Sequence, residues 1–69
     1  MTWVIHKGNR KQLYNIDTCK QISLFECDIL LWYEDSEKVR LKFETEEEAA
    51  QAFTYLRESI KRGENLLNI

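Results

Sequence analysis

Five consecutive apolar residues, Ile29-Leu30-Leu31-Trp32-Tyr33, constrain this chain more than any other feature. A run of that length between polar neighbours reads as a strand, and one with large side chains on both faces needs cover on both. Glu34-Asp35-Ser36-Glu37 follows as a short polar stretch, and Val39-Arg40-Leu41-Lys42-Phe43 then alternates apolar and basic. The two segments are predicted to form a hairpin. Two registers are open. A two-residue loop at Asp35-Ser36 puts Trp32 opposite Val39 and Leu30 opposite Leu41, with Ile29, Leu31 and Tyr33 on the other face. A three-residue loop reverses the faces.

The segment after the hairpin reads as a helix. Thr45 is placed to cap it, Glu48 occupies the reciprocal capping-box position, and Glu46-Glu47-Glu48 suit the positive end of the helix dipole. Ala49, Ala52, Phe53, Leu56 and Ile60 then form a single apolar stripe. Arg57, Lys61 and Arg62 lie toward the negative end, and Gly63 fits the position just past the last turn. Upstream, Gln21-Ile22-Ser23-Leu24-Phe25 alternates, and Glu26-Cys27-Asp28 turns it toward the apolar run. Trp3-Val4-Ile5-His6 and Lys11-Gln12-Leu13-Tyr14 flank Lys7-Gly8-Asn9-Arg10, where Gly-Asn favours a hairpin turn. Asn15-Ile16-Asp17-Thr18 reads as a loop. The expected fold is α+β, one domain over 1–69. An antiparallel meander of four to five strands (about 2–6, 11–15, 20–26, 28–34 and 37–44) precedes one helix (about 46–62) packed on one sheet face. The tail, Glu64-Asn65-Leu66-Leu67-Asn68-Ile69, is apolar for a terminus and is expected to pack on something.

Sixty-nine residues suffice for one core and not for two. The composition, 43% hydrophobic and 32% charged with two glycines and no proline, is that of a folding chain. No apolar run approaches the ~20 residues that cross a bilayer, and the N-terminal residues do not resemble a secretory signal. The expected compartment is therefore the cytoplasm, with no membrane partner. Net charge is -2, distributed as +3 over residues 1–25 and -5 over 26–69. A generic nucleic-acid binder carries a basic excess that this chain lacks.

The side chains point to no enzyme, metal or cofactor. Cys19, Cys27 and His6 are too few and too scattered for a zinc site. His6 has no recognisable nucleophile beside it and reads as a surface histidine, and Cys27 reads as a small apolar group. The cap explains the acidic cluster at 46–48, and Gly8 and Gly63 are too isolated for a phosphate-binding loop.

At Leu13-Tyr14-Asn15-Ile16-Asp17 and Phe43-Glu44-Thr45-Glu46-Glu47-Glu48-Ala49 the chain resembles a class of small uncharacterised bacterial proteins. They share a strand meander, a polar hairpin and a closing helix opened by a Thr-Glu-Glu-rich cap. The resemblance implies that fold and no activity. In architecture alone the element order also resembles a shortened pleckstrin-homology-like half barrel and the single-stranded-DNA-binding coactivator fold.

The functional expectation rests on coverage. One helix offers one apolar stripe, while Ile29, Leu30, Leu31, Trp32 and Tyr33 offer two apolar faces. Each such group left wet forgoes about 1.5–3 kcal/mol. The second face is covered by the N-terminal hairpin, by a second copy or by a ligand. The leading expectation is a non-enzymatic interaction module that forms a homodimer through its sheet. The alternative is a single-stranded nucleic-acid binder using Trp3, His6, Lys7, Arg10, Lys11 and Tyr14 on the first hairpin with the row Lys38, Arg40 and Lys42.

Overall fold

The computed structural model describes residues 1–34 and 37–69. Five strands, β1 (Trp3–His6), β2 (Asn9–Asn15), β3 (Cys19–Phe25), β4 (Asp28–Tyr33) and β5 (Lys38–Lys42), precede helix α1 (Glu46–Arg62). A sixth strand, β6 (Leu66–Asn68), follows it. The fold is α+β, and its strands divide into two three-stranded sheets, ordered β2-β1-β6 and β3-β4-β5.

The helix is terminated as its sequence dictates. Thr45 is extended and its hydroxyl accepts the Glu48 N–H at 3.0 Å. Gly63 is left-handed (φ 75°), which a residue without Cβ adopts freely, and its N–H returns to Ile60 O at 3.0 Å. Glu48 does not complete the expected capping box, because its carboxylate accepts from Lys7 Nζ at 2.6 Å. Ala49, Leu56 and Ser59 are the buried helical residues, while Ile60 is 43% exposed. The buried stripe is therefore rotated toward Ser59 and away from Ile60.

The central hairpin adopts the second of the two expected registers. Leu31 lies opposite Val39 and Ile29 opposite Leu41, so Ile29, Leu31 and Tyr33 face the helix side. The residues of the expected Asp35-Ser36 loop lie outside those described. Ile29, Leu31 and Leu41 join Leu56 of α1, Val4 of β1, Leu67 of β6 and Ile16 in a single core. Helix and N-terminal sheet thus share one face of β3-β4-β5. The hairpin does not reach the other face, where Leu30 pairs with Ser23 and Arg40, and Trp32 with Gln21 and Lys38. Leu30 is still only 8% exposed, Arg40 Nε lies 3.5 Å from Asp28 Oδ2, and Lys38 Nζ lies 5.1 Å from the Trp32 ring centre. Lys38 lies over Trp32, and Arg40 stands opposite Leu30 on that face.

β6 corrects the expected meander. It runs parallel to β1, Trp3 beside Leu66 and Val4 beside Leu67. Parallel neighbours need a long crossover, and the whole of 7–65 is that connection. The first hairpin turn falls on Lys7-Gly8 rather than Gly8-Asn9, and the β1–β2 pairing shifts between Ile5 and His6. Asn9 Oδ1 then accepts the Lys11 N–H at 3.1 Å. A Cβ on Gly8 would stand 3.0 Å from His6 Nε2, so the turn passes close over that ring.

Side chains bridge the two sheets at two places. His6, expected at the surface, is 6% exposed, with Nε2 2.9 Å from Lys42 O and Nδ1 3.3 Å from Ile69 O. Tyr33 Oη donates to Asn15 O at 3.1 Å. Burial, reinforced by Cys19 alongside, pushes the Tyr33 phenol well above its ordinary value of 10.0. Burial also pushes the Cys19 thiol above 9.0. In both groups the folded state holds the proton more tightly than the unfolded chain. Their contribution is full at low pH and is lost as pH rises through the unfolded values toward the folded ones. The urea midpoint is therefore expected to hold between pH 7 and roughly pH 9 and to fall beyond it, with a shallower fall in Tyr33→Phe. Equal slopes for the two proteins between about pH 9 and 11 would contradict this account.

Candidate interaction surface

A sheet edge is reactive because half of its backbone groups have no partner, and proteins blunt such edges with charge, bulges, brevity or cover. Three of the four edges here are blunted. β2 carries Arg10 and Lys11 and an irregular register. β6 has three residues. β5 carries Lys38, Arg40 and Lys42, and His6 covers its far end at the Lys42 carbonyl. β3 differs in degree: its one charge, Lys20, lies near its start, and Gln21-Ile22-Ser23-Leu24-Phe25 beyond it holds no charge and no proline. Its one irregularity lies between Cys19 and Gln21.

The ladder fixes which backbone groups of β3 face outward. Tyr33 N–H donates to Glu37 O, and Cys27 O accepts from Phe43 N–H, both on the β5 side. Backbone direction alternates along a strand, so Ile29, Leu31 and Tyr33 address β5, while Asp28, Leu30 and Trp32 address β3. Their partners Phe25, Ser23 and Gln21 therefore point inward. Ile22 and Leu24 are left with N–H and C=O at the open edge. Among the described residues, no other backbone hydrogen bond uses positions 20–25.

The side chains beside this edge are apolar. Ile22 and Leu24 lie on the helix-facing side, paired with Leu31 and Ile29. Leu24 is 39% exposed. Next to them, Ile22, Phe53, Leu56, Arg57 and Ile60 line a groove of ≈ 190 Å³ between β3 and α1. The exposure of Ile60 follows from this placement, because the helix turns it toward the edge rather than into the core. At the end of β3, Glu26 holds a positive φ of 54° in the tight turn to Asp28, a conformation that strains a residue with a Cβ.

The expected contact residues fall elsewhere. Ile29 and Leu31 are fully buried and Leu30 nearly so, so none of the three can meet a partner. Tyr33 and Trp32 are half-buried. The exposed large apolar side chains stand instead on β3 (Leu24, Phe25), on α1 (Tyr55, Ile60) and on the outer face of β2-β1-β6 (Trp3, Leu13, Leu66). On β3 the signal in the residue order is Leu24-Phe25, two large apolar residues just before a turn.

The basic and aromatic set is divided. Lys38, Arg40 and Lys42 share the outer face of β3-β4-β5 with Trp32. Trp3 and Tyr14 lie on opposite faces of β2-β1-β6, since Tyr14 pairs with Val4 on the core side. His6 is buried, Lys7 is paired with Glu48, and Arg10 and Lys11 are exposed. The outer face of β2-β1-β6 also exposes Trp3, Leu13 and Leu66, and a cleft of ≈ 540 Å³ lies between β2 and β5.

Cys19 and Cys27 are free thiols. Among the described residues no three His, Cys, Asp or Glu side chains converge as metal ligands, and no helix is long and apolar enough to cross a membrane. No protein-family profile matches the chain, and no curated protein or solved structure matches it.

Proposed function

We propose that this protein is a non-enzymatic interaction module that self-associates through the open β3 edge of its larger sheet. The observation that carries this reading is the open edge of β3 beyond Lys20. Unpaired backbone at Ile22 and Leu24 lies beside an apolar groove, while the other three edges are blunted. Adding a strand there satisfies the backbone groups and buries Leu24 and Ile60 in one step.

Sedimentation at concentrations from about 10 to 500 µM is expected to show a reversible monomer–dimer equilibrium, in the range typical of modest interfaces. Leu24→Lys is expected to abolish it while leaving the far-UV spectrum and the melting transition of the monomer intact. A charge on an edge side chain that faces the core is one of the devices that prevent pairing. A wild-type chain that stays monomeric throughout would refute the reading.

A single-stranded nucleic-acid reading rests on a different surface, the Trp32, Lys38, Arg40 and Lys42 face. Arg40 is already paired with Asp28 and Lys38 already lies over Trp32, which weakens it. That reading requires oligonucleotide binding at low salt, where phosphate contacts are strongest.

A further inference from the structure

We infer that the second copy pairs with β3 antiparallel about a two-fold axis at Ser23, giving one continuous six-stranded sheet. This rests on the self-association reading and adds its register. Three independent features select it.

The first is backbone direction. Ile22 and Leu24 point outward and Ser23 inward, so an antiparallel partner must match outward residues with outward residues. Registers that pair Ile22 with Ser23 of the other copy are excluded. The register about Ser23 pairs Ile22 with Leu24 of the second copy and repeats that pair by symmetry.

The second is side-chain chemistry. About Ser23, both helix-side pairs are Ile22 with Leu24. Each Leu24 then lies beside the partner's groove of Ile22, Phe53, Leu56, Arg57 and Ile60, whose ≈ 190 Å³ admits a leucine side chain. At each end Lys20, at the register shift of β3, comes near Glu26 in the turn of the other copy, with opposite charges. Shifting the axis to Ile22 sets Leu24 against Lys20, and shifting it to Leu24 sets Ile22 against Glu26. Both alternatives place a charge against an apolar residue.

The third is size at the axis. Ser23 would face its own copy in a non-hydrogen-bonded pair, where Cα atoms approach to about 4.5 Å and side chains are closest. A serine fits there, and its hydroxyl already accepts from Gln21 Nε2 at 2.8 Å on the solvent face.

That separation also lies in the range of about 4.4–6.8 Å that a disulfide spans. In a Cys19→Ala, Cys27→Ala background, Ser23→Cys under mild oxidation is expected to convert most of the protein to a covalent dimer on a non-reducing gel. Gln21→Cys, whose copies lie far apart in this register, should stay predominantly monomeric on the same gel. If the unmodified chain dimerises by sedimentation but Ser23→Cys fails to cross-link, or Gln21→Cys cross-links as well, the register is wrong and self-association stands. If the unmodified chain is monomeric throughout, both fall.

Discussion

Leu31→Ala is expected to leave most of the protein unfolded at 37 °C. Leu31 is fully buried at the centre of β4, between Ile22 and Val39, in the cluster that also holds Val4, Leu41, Leu56 and Leu67. Removing three carbons there loses their transfer free energy and leaves a void lined by strands of both sheets and the helix. Such truncations cost about 2–5 kcal/mol, and the upper half applies where the surroundings are held by two ladders and cannot collapse. A single-core domain of this size has only about 3–5 kcal/mol in total. Leu13→Ala removes the same atoms from a side chain that is 55% exposed, and should shift the unfolding free energy by less than about 0.5 kcal/mol. Urea titrations of the two variants followed by circular dichroism give the comparison. Similar midpoints would mean that the core does not lie between β4, α1 and β1.

His6→Ala is expected to be nearly as damaging, for a different reason. The ring lies between the sheets, with Nε2 2.9 Å from Lys42 O, and it stands edge-on to Phe43 at 4.9 Å between centres. Both polar partners of the imidazole are carbonyl oxygens, so a protonated ring nitrogen donates to either, and Nε2 has the shorter contact. Truncation leaves the Lys42 carbonyl without its part-buried donor and opens the space beneath Gly8. The lost hydrogen bond costs about 1 kcal/mol and the lost packing about 2 kcal/mol, giving about 3 kcal/mol in all. His6→Phe separates the two contributions. It keeps the aromatic contact with Phe43 and loses the donor, so it should recover about 2 kcal/mol of the loss and no more. Full recovery by phenylalanine would show that the inter-sheet hydrogen bond carries no stability.

His6 also marks the limit of what residue order conveys. It follows three apolar residues and precedes a turn, a setting in which most histidines meet water. It is buried because β5 arrives beside β1 from 36 positions away and presents a carbonyl. Nothing within ten residues of His6 encodes that meeting.

The same division runs through the molecule. Features set by near neighbours were legible in the chain itself: the Thr45 cap, the left-handed Gly63, the limits of α1, the turn between β3 and β4, and the extended state of β4. Each depends on torsional preference or on hydrogen bonds spanning a few positions, and such terms are written locally. Tertiary structure alone decided the register of the β4–β5 hairpin, the parallel docking of β6 on β1, the sharing of one sheet face by helix and N-terminal sheet, and the exposure of β3. In β4 both faces are apolar, so alternation cannot choose between them. A three-residue strand has too little pattern to announce its partner. Which edge stays open is settled by what the rest of the chain has already covered, and that is a property of the assembled fold.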